Sequence, residues 1–219
     1  MTVLALRLSG QHNGVSELHG QVSRKMWREL WPGTPVNQIP IAHITNGVHQ
    51  QSWVAEALER LFDRYLPHDW RDRIDDPRVW RHVHEIPDEE LWQVRRQLKH
   101  TMAHFVRGRV AAALQQQGET PKRVRDSLQL LDPEALTIGF ARRFATYKRA
   151  TLIFRDRDRL KRILNDPERP VQIVFAGKAH PADQPGKELN HRIHQFSRQE
   201  GFAGRIVFVE DYDINVARH

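Results

Sequence analysis

Cysteine is absent from the 219-residue sequence. That removes disulfide frameworks, thiolate nucleophiles and cysteine-ligated metals, and it is compatible with a reducing cytoplasm, the expected location. No apolar run approaches the roughly 20 residues that a membrane-spanning helix needs, and the first residues do not have the pattern of a secretory signal. A Gly-x-Gly-x-x-Gly fingerprint, a phosphate loop ending in Gly-Lys-Ser/Thr and a Gly-x-Ser-x-Gly elbow are all missing. The commonest nucleotide-binding and hydrolase readings therefore lose their signatures. No pair of carboxylates stands out as a glycosidase acid and nucleophile, and there is no internal repeat.

Hydrophobic residues make up 39% of the chain, enough for one ordinary core and part of a second. Lys and Arg number 34 against 27 Asp and Glu, a formal net charge of +7. The excess suits phosphate and phosphorylated cofactors. A nucleic-acid surface is not expected, because acids interrupt the bases, as in Arg155-Asp-Arg-Asp-Arg159. A membrane partner is not expected either. His100 and His104 lie one helical turn apart without a third ligand, so no metal site is expected. The sequence reads as helical from Met1 with no cap ahead of it, and Val216-Ala-Arg-His219 reads as the start of another helix. Both ends look like cuts, and the expectation is an internal piece of a longer protein.

The pattern predicts helix over 1–31, broken at His12-Asn-Gly14, then a short strand and tight turn over Ile41-Ala-His-Ile-Thr-Asn-Gly-Val48. A helix capped by Ser52 should carry Trp53, Ala57, Leu58, Leu61, Phe62 and Tyr65 until Pro67 stops it. Residues 69–87 read as irregular. A helix of about 40 Å should then run from Pro87 to Gly118. Beyond it the pattern is strand (136–141), helix (147–164), strand (171–176), helix (185–199) and strand (205–209). That is a parallel βαβαβ unit with helices on both faces, so the fold class is α/β.

The most informative stretch is Leu136-Thr-Ile-Gly-Phe-Ala-Arg-Arg-Phe-Ala-Thr-Tyr-Lys-Arg149. It reads as a buried strand running into four cations, Arg142, Arg143, Lys148 and Arg149. Cations at the carboxyl end of a strand, beside a helix N-terminus, suit phosphate. The same composition also suits a solvated charge run. Resemblance separates the two. Arg143-Phe-Ala-Thr-Tyr-Lys148 resembles the Arg-x-x-x-Tyr-Lys segment of the α-glucan (glycogen, starch and maltodextrin) phosphorylases. Four more blocks follow that family's order: Gly10-Gln-His12 with Asn13-Gly-Val15 and His19; Thr45-Asn-Gly47 with Trp53; Gly177-Lys-Ala179; and Glu210-Asp-Tyr212. The wording is most similar to the shorter bacterial and archaeal branch.

The resemblance implies a GT-B fold, with residues 1–46 closing the N-terminal domain and 47–219 opening the Rossmann-like C-terminal domain. It implies transfer of terminal α-1,4-linked glucosyl units from a glucan to inorganic phosphate, giving α-D-glucose 1-phosphate with retention. The cofactor would be pyridoxal 5′-phosphate, and a homo-oligomeric parent stays open. Position by position, His12 and Asn46 would contact the glucosyl unit, and Arg143 and Lys148 would hold the substrate phosphate. Arg142 would face the cofactor phosphate, with Tyr212 and Trp53 beside the cofactor. Each has a plainer reading: His12 and Asn46 as turn residues, and Trp53 as packing. His19 reads as structural, and Lys178 and His180 form a site rim without an assigned role.

Three departures from the family pattern stand out. The loop between His12 and Asn13 is shorter than in the animal and plant branch. Asp213 stands where that branch has an arginine. The cofactor's covalent lysine would lie beyond residue 219. The isolated chain is therefore expected to lack phosphorolytic activity, to bind the cofactor weakly at best, and to expose apolar surface at Ile206, Phe208 and Val209. Two other readings remain: a nucleotide-sugar glycosyltransferase of the same architecture, and a non-catalytic α/β module that binds polyanions.

Overall fold

The computed structural model describes residues 1–219. The chain divides into two compact units, Met1–Gln51 and Ser52–His219. No helix is long and apolar enough to cross a membrane.

In the first unit, helix α1 (Thr2–Leu8) precedes strand β1 (Asn13–Gly14), helix α2 (Glu17–Met26) and strand β2 (Ala42–His43). Ser16 caps α2 by accepting from the His19 amide, with Glu17 in the first turn and Arg24 and Lys25 in the last, matching the helix dipole. β1 and β2 pair in parallel, Asn13 opposite Ala42 and Gly14 opposite His43. Glycine is required here: a Cβ on Gly14 would lie 2.5 Å from the Gly20 nitrogen. The expected break at His12-Asn-Gly14 is thus a strand rather than a tight turn. Of the stretch 41–48, only Ala42–His43 is strand, and residues 44–49 take no regular structure.

The second unit opens with helix α3 (Glu56–Tyr65) and helix α4 (Pro77–Trp80). Ala55, not Ser52, is the N-cap of α3, and it supplies no side-chain bond. Trp70 is 1% exposed, and its ring meets Phe62 and Trp80 edge-on at 5.6 and 6.1 Å. The irregular 69–87 therefore wraps a small aromatic core with Leu66 and Val79. Helix α5 (Asp88–Gln116) runs 29 residues from an N-cap at Pro87, with Asp88, Glu89 and Glu90 in its first turn. Helix α6 (Pro121–Ser127) follows, capped by Thr120.

Strands β3 (Leu136–Ala141), β4 (Val171–Ala176) and β5 (Ile206–Val209) form one parallel sheet in the order β3-β4-β5. Helices α7 (Arg157–Leu164) and α8 (Gln184–Ser197) are the crossovers, and helix α9 (Ile214–Ala217) ends the unit. Side chains alternate between faces as a strand demands. Ile173, Phe175 and Ile206 pack with Leu160, Leu164, Ile193 and Phe196 of α7 and α8. Ala176, Val207 and Val209 pack with Ala103 and Val106 of α5 on the other face. This α/β arrangement, helices on both faces of a parallel sheet, is consistent with part of a GT-B fold.

Three expectations need correction. β3 is an edge strand rather than a buried one, with Leu136 62% and Ile138 42% exposed. Ile206 and Val209 are buried and Phe208 is half-buried, because α5 and α8 cover both faces of β5; the open apolar surface lies at β3 instead. The helix expected over 147–164 begins only at Arg157, where Asp156 caps it by accepting from the Arg159 amide. Ahead of it are short 3₁₀ turns, Thr146–Lys148 and Leu152–Phe154, and a left-handed Arg149 at φ +56°.

Candidate functional site

The carboxyl ends of β3 and β4 hold their exit loops against one another. The Arg142 amide donates to the Ala176 carbonyl at 3.1 Å, and the Phe144 amide to the Lys178 carbonyl at 3.0 Å. Phe144 is fully buried between these exits and anchors the loop. Gly177, at φ +158°, allows the close approach: a Cβ there would lie 2.0 Å from the Arg142 oxygen. The first turn of α8 closes in as well, since a Cβ on Gly186 would lie 2.5 Å from the Phe144 oxygen. The helix N-terminus at this loop is therefore that of α8, capped by Asp183. The sequence pattern alone places it on the segment after Lys148.

On this frame stand four cations. Arg142, Arg143 and Arg149 are exposed and Lys148 is half-buried. None of the four pairs with a carboxylate. Lys148 Nζ lies over the Tyr147 ring, 4.7 Å from its centre. Cations without counter-ions on one short segment favour the approach of an anion. Fixed cations at strand ends need no rearrangement to do so.

The exit of β5 completes the rim. Tyr212 packs against the α5 cluster of Ala103, Val106 and Val209, and Lys178 Nζ lies 3.5 Å from Asp211 Oδ1. Asp213 caps α9, and the Val216 amide it accepts from holds its carboxyl below the usual carboxylate range. Capping is a sufficient job for this acid. Trp53, about half exposed, lines a cleft of about 580 Å³ on the α5 face of the sheet, with Ala141, Ala176 and Val209. The structure thus places Arg142, Arg143 and Lys148 on one loop, with Trp53 and Tyr212 on the sheet face that α5 covers.

His12 and Asn46 belong to the first unit. His12 Nε2 lies 2.8 Å from the Leu6 carbonyl and Nδ1 3.2 Å from that of Pro40. Both partners are acceptors, and a neutral imidazole can donate to only one. Its ring also meets Trp31 edge-on at 5.8 Å. The Asn46 amide donates to the Val15 carbonyl at 3.2 Å; its side chain is exposed and unpartnered. His19 is structural, its Nδ1 accepting from the Val15 amide at 3.0 Å. His180 accepts from the Ala182 amide and so shapes the β4 exit. Gly186 and Asp211 were passed over as contributors to the rim; neither follows from local periodicity, since each acts on a loop distant in sequence.

The whole of 1–219 matches the family model of carbohydrate phosphorylases. The chain belongs to that family. It is 44% identical to a maltodextrin phosphorylase of Thermococcus litoralis over 218 residues, all of this chain and 26% of that protein. It is 42% identical to a glycogen phosphorylase of Aquifex aeolicus, covering 31% of it, and 41% identical to one of Mycobacterium tuberculosis, covering 25%. The chain therefore spans a quarter to a third of the length of these relatives. Membership does not favour the nucleotide-sugar glycosyltransferase or the polyanion-binding module.

Proposed function

We propose that this chain is part of an α-glucan phosphorylase, which transfers terminal α-1,4-linked glucosyl units of a glucan to inorganic phosphate. The C1–oxygen bond of the glucan breaks, the departing oxygen takes its proton from inorganic phosphate, a C1–oxygen bond to that phosphate forms, and α-D-glucose 1-phosphate leaves with retained configuration. The observation that carries this reading is the set of unpaired cations at the strand ends, in a chain of the phosphorylase family. Arg143 and Lys148 hold the reacting phosphate, Asn46 contacts the glucosyl hydroxyls, and His12 joins it by giving up the longer of its two backbone contacts, the Pro40 carbonyl at 3.2 Å.

Pyridoxal 5′-phosphate is the cofactor implied by the family, and the residues present fit it. Arg142 is a cation without a partner, and the neighbouring cleft offers an aromatic wall at Trp53 with Tyr212 on the same sheet face. Arg142 would neutralise the cofactor phosphate. When bound, the cofactor supplies an acid–base partner for inorganic phosphate. Its covalent lysine belongs outside residues 1–219. Two dianions can approach one another only where fixed cations offset their repulsion, which is what Arg142, Arg143 and Lys148 provide.

Phosphorolysis of maltodextrin by the protein that carries this chain tests the reading. Lys148→Ala should raise the apparent KM for phosphate about tenfold or more, the value of a lost charge-assisted bond of roughly 1.5–3 kcal/mol. Glucan affinity should move little. Asn46→Ala should slow turnover while cofactor absorbance stays; loss of cofactor from a folded Asn46→Ala protein would place Asn46 in the cofactor shell instead. An unchanged phosphate dependence in Lys148→Ala overturns the phosphate assignment.

A further inference from the structure

Helix α5 also reaches the strand ends. Arg109, one turn beyond the buried Val106, extends Nη2 to the Asp211 carbonyl at 3.0 Å and to the Glu210 carbonyl at 3.4 Å. Gln117 Nε2 donates to the Glu210 carboxylate at 3.2 Å. Between these tethers Asp211 adopts φ +54°, the left-handed region that glycine enters freely and that an aspartate tolerates but seldom occupies. Nothing local to Asp211 requires that conformation, so its surroundings must impose it. The bend has two results. It directs the Asp211 carboxylate towards Lys178 at the β4 exit, and it lets Tyr212 fold back onto Val106 and Val209.

We propose that Arg109 is a positioning residue for the candidate site. By clamping two successive carbonyls it holds Asp211 left-handed and so sets the Tyr212 ring at the carboxyl edge of the sheet. A guanidinium suits this task because its donors diverge in one rigid plane, whereas a lysine ammonium is a single point on a flexible stem. What Tyr212 contacts rests on the proposed function; the clamp does not.

The test compares the wild-type 219-residue chain with Arg109→Ala, Arg109→Lys and the double variant Arg109→Ala/Asp211→Gly. Three quantities are followed by NMR and fluorescence: the backbone coupling constant of residue 211, affinity for pyridoxal 5′-phosphate, and affinity for inorganic phosphate. In Arg109→Ala the left-handed signature of Asp211 should disappear and cofactor affinity fall about tenfold, with phosphate affinity within about twofold of wild type. Asp211→Gly in that background should restore cofactor affinity, since glycine takes the bend unaided. A merely structural role would weaken both ligands alike, and glycine would not repair it. Should Arg109→Ala not fold, Arg109→Lys, which keeps stem and charge, carries the same comparison. Retention of the left-handed Asp211 without the guanidinium, or failure of the glycine rescue, overturns the clamp. If the wild-type chain binds no pyridoxal 5′-phosphate, the coupling constant of residue 211 alone decides the clamp.

Discussion

Two regions of the second unit are rich in arginine and use it in opposite ways. Around α3 and α4, every arginine but Arg81 has a carboxylate. Arg64 reaches Glu90 at 2.6 Å, Arg71 reaches Asp63 at 3.0 Å, and Arg73 reaches Asp76 at 2.8 Å and Asp69 at 3.1 Å. Arg78 also takes Asp76, at 2.8 Å, and Arg60 takes Glu56. At the strand ends, Arg142, Arg143, Lys148 and Arg149 take no carboxylate at all. Local composition already differs: Asp63, Asp69 and Asp76 are interleaved with the first set of arginines, whereas no acid lies between Glu134 and Asp156. In the first the charges are satisfied by the fold, and in the second the fold supplies no counter-charge. Exposed pairs contribute only about 0–1 kcal/mol each, so the first region must be held mainly by its aromatic core.

The largest effect should come from breaking that core. Trp70→Ala removes a ring that is 1% exposed, contacts Phe62 and Trp80, and donates to Asp63 at 2.9 Å. Large aromatic truncations cost about 3–5 kcal/mol, and chemical denaturation followed by tryptophan fluorescence should show a loss of that order. A loss below about 1 kcal/mol would mean that the ion pairs, not the rings, hold this region.

The second test sharpens the contrast from the other side. Phosphate at about a hundredfold excess over its Kd should stabilise the chain by roughly 2.7 kcal/mol. The double variant Arg143→Ala/Lys148→Ala should lose nearly all of this gain, and Arg71→Ala should keep it. Thermal denaturation with and without phosphate reads both. Equal gains in all three proteins would remove the strand ends as the anion site.

How far the sequence carried the fold depends on whether the signal was local. β4 fell where alternation and apolar content put it, and α5 where Pro87, three acids and Gly118 bracket it. The order of the strands was not legible, so β3 passed for buried when its edge position leaves Leu136 and Ile138 open. The helix predicted from Tyr147 failed because apolar spacing at Ala150, Ile153 and Phe154 also suits two 3₁₀ turns; Arg149 at φ +56° interrupts a helix whatever the period. For the site, the four cations were legible as a cluster on one loop. That they lack partners was not, because pairing depends on which acids the fold brings near. His12, read as a sugar contact, carries two backbone carbonyls that no spacing rule announces.

A third prediction uses acid to erase the paired region selectively. Arg78 and Arg73 hold the Asp76 carboxyl well below its ordinary value, and Arg71 with the Trp70 indole lowers that of Asp63. A depressed folded pKa means the stabilisation is complete above the unfolded value of about 3.9 and is lost as pH falls below it. The Trp70 indole proton resonance should therefore hold through the ordinary carboxylate range and shift only below it, while reporters near Phe144 hold to lower pH still. Asp76→Asn should flatten part of that dependence. Simultaneous loss of both regions would show that they unfold as one unit and that the carboxylates do not set the acid limit.

The smallest expected effect is the most direct test of unpaired charge. Removing a cation from a satisfied pair should cost stability, whereas removing one from a cluster of like charges should relieve repulsion. Arg143→Gln, at low ionic strength and without phosphate, should thus raise stability by a few tenths of a kcal/mol. Arg71→Gln under the same conditions should lower it. Salt screens charges over about 10 Å at 0.1 M, so both changes should shrink as salt is added, from opposite signs towards zero. Phosphate reverses the order: once an anion is bound, Arg143→Gln becomes the less stable protein because the wild type gains a partner that the variant cannot use. A paired thermal series in chloride and phosphate would reveal that crossing. If Arg143→Gln is destabilising in both, Arg143 has a structural partner and the strand-end cluster is not the vacant charge site inferred from its geometry.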